Sequence, residues 1–162
     1  MRTLVPALVL LTLLAPPARA DADDSTSRWI VVTAPAHRQA VEELVAHRRA
    51  EGYDVVEVDA HAVLGEAALR ARDGRKLRER LAAIAAEASG PSCVLLVGAP
   101  LPSDDVATEA YVPMLRGTVG RMRGRFTDNG YGCLDDDLMP DVAVGRFPAR
   151  TPAEARAMAR KA

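Results

Sequence analysis

Lysine is almost missing from this chain: only Lys76 and Lys161 occur, while arginine and alanine are abundant. That skew reads as a bias of genomic base composition rather than as chemistry. Beyond the N-terminal residues no apolar run approaches the roughly 20 residues that a membrane-spanning helix needs. The two cysteines, Cys93 and Cys133, and the three histidines, His37, His47 and His61, form no C-x-x-C or H-x-x-x-H pair. Metal sites built on those spacings are therefore not indicated. No cysteine follows the N-terminal apolar run, so there is no signal for a lipid anchor. Internal repeats and low-complexity blocks are absent as well.

What is present begins with a leader. Residues 1–3 carry a short positive start, residues 4–14 an apolar run, and Ala18-Arg19-Ala20 places small residues at the −3 and −1 positions. The expectation is a signal peptide over residues 1–20, cleaved before Asp21, and a secreted or periplasmic product. A disordered lead over 21–27 would follow, then one domain with a real core. Losing the leader removes Arg2 and Arg19 and moves the formal charge from −1 to −3. A mildly acidic domain has no global attraction for nucleic acid or anionic membranes. Export permits a disulfide between Cys93 and Cys133. Cys93, however, opens the apolar run of residues 93–97, where a free thiol packs as a small hydrophobe.

Hydrophobic periodicity alternates between two kinds of element. Residues 28–33, RWIVVT, predict a strand. Residues 36–51 predict a helix with Ala40, Val41, Leu44 and Val45 on one face and Gly52 at its C-terminal cap. Residues 53–58 predict a second strand. Residues 61–69 read as a short helix or a loop. Asp73 is the expected N-cap of a helix running to about Ser89, striped by Leu77, Leu81, Ile84, Ala85 and Ala88. Gly90-Pro91 stops it, and residues 92–97, SCVLLV, form a third strand. A long irregular stretch over 99–140 holds a possible short strand near 111–115. Residues 141–144 then predict a fourth sure strand, closed by Gly145-Arg146. Thr151-Pro152-Ala153-Glu154 is a capping box with proline at the first helical position. The helical spacing then continues through Ala155, Met158 and Ala159 to Ala162. Alternating strands and helices predict a parallel sheet with helices on both faces: a three-layer α/β fold of caspase-like or flavodoxin-like kind.

Three segments carry a family resemblance. They are 29–33 with the helix after it; 93–98, CVLLVG; and the block formed by Thr127-Asp128, Tyr131, 135–137, Pro140-Asp141 and 144–148. With them the chain resembles the catalytic region of the gingipain-type cysteine endopeptidases, exported bacterial proteases of the caspase-like superfamily. The family usually continues its central strand with an acidic residue, where this chain has Ala99. In the family the histidine base and cysteine nucleophile lie well downstream of the Gly-Arg strand, in a second α/β unit. The resemblance thus implies that residues 28–162 are a first subdomain, truncated at its C-terminal helix, that this chain carries no catalytic residue, and that it is inactive alone. Protein or peptide substrates would be met through the missing second subdomain.

The chemical candidates inside the chain read as structural. Cys133 sits in a Gly-rich loop, but Asp135, Asp136 and Asp137 beside it would raise a thiol pKa, and its position is not the family's nucleophile. His37 lies at the carboxyl end of the first strand, where ligands bind in open α/β sheets, and is expected to open a surface helix. His47 is expected to be solvated, and His61 falls in the uncertain connection. Asp128, Asp135, Asp136, Asp137 and Asp141 offer hard oxygens for calcium, which the resembling family is known to need, but a solvated acidic turn is the favoured reading. Arg116, Arg121, Arg123 and Arg125 make a basic cluster around Gly117, Gly120 and Gly124. With Phe126 alone for stacking, a solvated or locally salt-bridged loop is favoured over phosphate or RNA binding. The rival to a protease fragment is a non-enzymatic exported binding module; a flavodoxin-like small-molecule binder is a third reading.

Overall fold

Trp29, Ile30, Val31, Val32 and Thr33 are all buried because β1 (Arg28–Thr33) is flanked on both edges and covered on both faces. A computed structural model describes residues 25–102, 108–135, 137 and 139–162. The expected leader over 1–20, the first part of the lead and Asp136 lie outside these. Parallel partners of β1 are β2 (Asp54–Asp59) and β3 (Ser92–Val97). The connection after β3 carries a two-stranded antiparallel ribbon, β4 (Leu115–Arg116) with β5 (Phe126–Thr127). The chain then re-enters the main sheet as β6 (Ala143–Phe147), parallel to β3, giving the order β2-β1-β3-β6.

Alternation along the strands splits the core in two. Ile30, Val32, Val94 and Leu96 pack with Leu64, Leu77, Leu81, Ile84 and Tyr131 on one face. Trp29, Val31, Leu95 and Val97 pack with Val41, Leu44, Val45 and Ala155 on the other. One face is therefore covered by α2 (Ala60–Ala71) and α3 (Arg75–Ala86), the other by α1 (Glu42–Ala50) and α4 (Pro152–Ala159). Each fully buried Val, Ile or Leu contributes about 1.5–3 kcal/mol. The expected three-layer α/β fold is the observed one. No helix among the described residues is long and apolar enough to cross a membrane.

Several boundaries differ from the sequence reading. The helix expected from residue 36 starts as two 3-10 turns, Pro35–His37 and Gln39–Val41, and becomes α-helical only at Glu42. His37 N–H bonds to Ala34 O and Val41 N–H to Arg38 O, a tighter winding that keeps Ala40 and Val41 in the core. The uncertain 61–69 segment lies within α2, capped by Asp59, whose Oδ1 accepts His61 N–H at 2.8 Å and Ala62 N–H at 3.0 Å. Gly65 (φ 72°, ψ 164°) breaks α2 into two pieces, a backbone geometry that glycine alone adopts cheaply. Gly74 occupies the N-cap of α3, while the Asp73 carboxylate accepts Arg75 N–H at 3.0 Å. That helix ends at Ala86, short of Ser89.

The last strand starts at Ala143, not Asp141, and Gly145-Arg146 lie inside it. Asp141 and Val142 N–H groups go instead to Gly132 O, which assigns those residues to the loop. The helix spacing expected to reach Ala162 stops at Ala159, where Arg160 N–H closes on Arg156 O. Thr151 Oγ1 accepts Glu154 N–H at 3.2 Å as the capping box requires, but the Glu154 carboxylate accepts Arg150 N–H at 2.8 Å rather than that of Thr151.

Candidate functional site

The carboxyl ends of β1, β3 and β6 converge on one rim, where open parallel sheets place their ligands. There the long connection is laced to β3: Ala99 N–H donates to Ala110 O at 2.8 Å and Val112 N–H to Ala99 O at 3.0 Å. Arg146, pointing from β6, fastens the rest. Its Nε and Nη2 donate to the two Asp128 carboxylate oxygens, each at 2.7 Å. Its Nη1 donates to Gly98 O at 2.9 Å and Val112 O at 3.0 Å. With its side chain only 8% exposed, Arg146 is a buried cation that needs this fork-to-fork partner. Beside it, Tyr131 is fully buried and donates its hydroxyl to Pro113 O at 2.7 Å; burial pushes its pKa far up. The Thr-Asp…Tyr…Gly-Arg block thus forms a clamp.

The acidic turn is held by its own carboxylates. Asp141 Oδ2 accepts Leu134 N–H at 2.6 Å, Asp135 Oδ1 accepts Asp137 N–H at 2.9 Å, and Asp137 Oδ1 accepts Met139 N–H at 2.7 Å. Arg78 reaches across from α3 and donates to Cys133 O at 2.7 Å and to Asp135 O. Among the described residues no three His, Cys, Asp or Glu side chains are grouped to hold a metal. Asp128 faces Arg146, and the other described carboxylates bond backbone amides. Among the described residues this donor set does not form a calcium cage.

The thiols and imidazoles are scattered. Cys93 and Cys133 are both free. Cys93 lies 3.8 Å from Arg28 O, and burial raises its pKa, which keeps it a protonated, poor nucleophile. His37 is fully buried, not opening a surface helix as expected. Its Nε2 faces Ala149 O at 3.1 Å and so must carry the proton, tying the exit of β1 to the linker after β6. Desolvation lowers its pKa, against smaller opposing effects of the Ala149 and Ala110 carbonyls and Glu154. His61 Nε2 likewise bonds Tyr111 O at 2.8 Å. His47 is largely exposed, 3.5 Å from Glu51. No described hydrogen bond joins a thiol to an imidazole. Sequence reasoning missed Arg146 and Asp128 as a pair, although an arginine inside an apolar strand is itself a demand for a carboxylate.

A four-stranded parallel layer with this clamped rim is an α/β unit of caspase-like or flavodoxin-like kind. The family profile described as peptidase family C25 matches residues 22–162. The chain belongs to that family, the gingipain family of cysteine peptidases. A solved structure described as "Structure of Protease" shares the fold, with a TM-score of 0.62 and 18% identity over 83% of this chain. The chain spans only 27% of that protein's length. No curated protein matches the chain significantly.

Proposed function

We propose that this chain is the first α/β subdomain of an exported gingipain-like cysteine endopeptidase and that it cleaves nothing by itself. Family membership supports the protease class, and residues 28–162 correspond to the part that precedes the reactive unit in the resembling enzymes. There a thiolate attacks the peptide carbonyl, a histidine gives a proton to the leaving amine, and water hydrolyses the acyl-enzyme. The role of the present residues is to carry that unit and to receive protein substrate beside it.

The observation that carries this reading is the outer edge of β6. Among the described residues β6 pairs only with β3, and Ala143 and Gly145 along it are exposed. An open strand edge presents a row of unpaired backbone N–H and C=O groups with which a further strand can pair. The Arg146–Asp128 clamp holds that edge in register. Export through the expected leader belongs to the same reading. Reading the coding sequence past codon 162 tests it. Continuation into a His-Gly segment and then a strand ending in Cys supports the protease. A stop with no such sequence nearby favours a binding module.

A further inference from the structure

The ribbon tip between β4 and β5 is built more firmly than a solvated loop requires. Gly117 N–H donates to Arg125 O at 2.9 Å, and Gly124 N–H donates to Gly117 O at 2.8 Å. A Cβ on Gly117 would lie 2.2 Å from Met122 O, so the two limbs pass at contact distance. The Arg116 guanidinium sits over the Phe126 ring, 4.5 Å from its centroid, and donates to Gly124 O at 3.0 Å. The base is rooted in the core by buried Leu115 and Thr127. One residue further, Asp128 grips Arg146 at the carboxyl rim of the sheet.

On this preorganised tip Arg121, Arg123 and Arg125 are exposed, and none is in an ion pair among the described residues. Of the two arrangements expected from sequence, a solvated or a locally salt-bridged loop, the described residues show the solvated one. Val119 and Met122, between and beside them, are 43% and 40% exposed. We propose that this tip is an exosite that binds an acidic, apolar-containing stretch of the protein substrate. The inference rests on the protease reading and names the substrate class that reading leaves open.

Unpaired guanidinium groups select carboxylates or phosphates by their planar fork. The apolar pair separates the two. A peptide with alternating acidic and aliphatic side chains covers Val119 and Met122 while meeting the arginines. A nucleic acid offers no aliphatic side chain, and the tip's one aromatic ring is already under Arg116. Placement at the carboxyl rim puts the exosite on the end of the sheet where substrate arrives. Little reordering of the tip is needed on binding, so the contacts convert to affinity with small entropic loss.

Fluorescence anisotropy of the chain with a labelled peptide of alternating Glu and Leu, its Gln-and-Leu counterpart and an oligothymidylate tests the proposal. The acidic peptide binds, its affinity falls with salt, and the Gln counterpart binds at least about tenfold more weakly. The triple variant Arg121→Ala, Arg123→Ala, Arg125→Ala loses the difference while keeping its thermal unfolding, and Val119→Ser with Met122→Ser weakens the peptide but not its salt dependence. Absent binding, equal binding by the triple variant, or tighter binding of the oligothymidylate overturns it. In a polypeptide that includes the following unit, substrates with an acidic flank show a higher kcat/KM than Gln-flanked ones. Equal values overturn the exosite while leaving the protease reading intact; no cleavage of either substrate overturns the protease reading, and the exosite with it.

Discussion

Arg146 makes four hydrogen bonds from one guanidinium, two to Asp128 and two to backbone carbonyls of separate segments. Removing either member leaves a buried charge unpaired, at a cost of about 3–5 kcal/mol. Arg146→Ala and Asp128→Ala are each expected to lower the urea unfolding free energy by that order. Arg146→Lys should rescue little, because an ammonium cannot make the fork. His37 supplies a pH prediction. Its folded pKa lies below the ordinary 6.5, chiefly through desolvation. Below pH 6.5 the unfolded chain binds a proton that the folded chain resists, so stability is full above that value and declines as pH falls towards the lowered one. The slope for this one proton is at most about 1.4 kcal/mol per pH unit. His37→Gln keeps a donor for Ala149 O and does not titrate. Its unfolding midpoint should therefore change less than the wild type's between neutral pH and pH about 5.5. An equal change would remove His37 from the account. His37 was misread from sequence because nothing local distinguishes a histidine at a surface helix start from one turned under the sheet rim.

At the scale of elements, Gly74 and Tyr131 are coupled. A Cβ on Gly74 would lie 2.1 Å from the Tyr131 hydroxyl oxygen, which is itself bonded to Pro113 O. Gly74→Ala should be strongly destabilising, and Tyr131→Phe should cost about 1–3 kcal/mol by leaving Pro113 O unpaired. The double variant should cost less than the two combined, since the phenyl ring makes room; additive costs from denaturant unfolding would contradict the contact. Thr151→Ala should cost about 1 kcal/mol through the lost cap of α4. The strands β1 and β3 were legible to the residue, because a β-branched or apolar run bounded by turn residues has few alternatives. The last strand starts two residues and ends three residues later than expected, the end because Gly145 was taken as a terminator, whereas on an exposed edge a glycine can sit mid-strand. The cap of α2 was hidden because Asp59 also ends β2.

For the whole molecule, the layered fold followed from the alternation of element types, and the family from a block whose spacing spans the clamp. The clamp itself was not legible: Asp128 and Arg146 meet across 18 positions, beyond any local periodicity. The acidic turn offered hard oxygens for a cation by composition, though a solvated turn was favoured; its geometry turns the Asp135, Asp137 and Asp141 carboxylates onto backbone amides, a use composition cannot reveal. Among the described residues both thiols are free and no His, Cys, Asp or Glu side chains gather into a group of three that could hold a metal. The most direct test is peptide hydrolysis by the purified chain, with Cys133→Ala as its control. The account predicts turnover at the buffer blank for both proteins. Hydrolysis above blank that disappears in Cys133→Ala would contradict it.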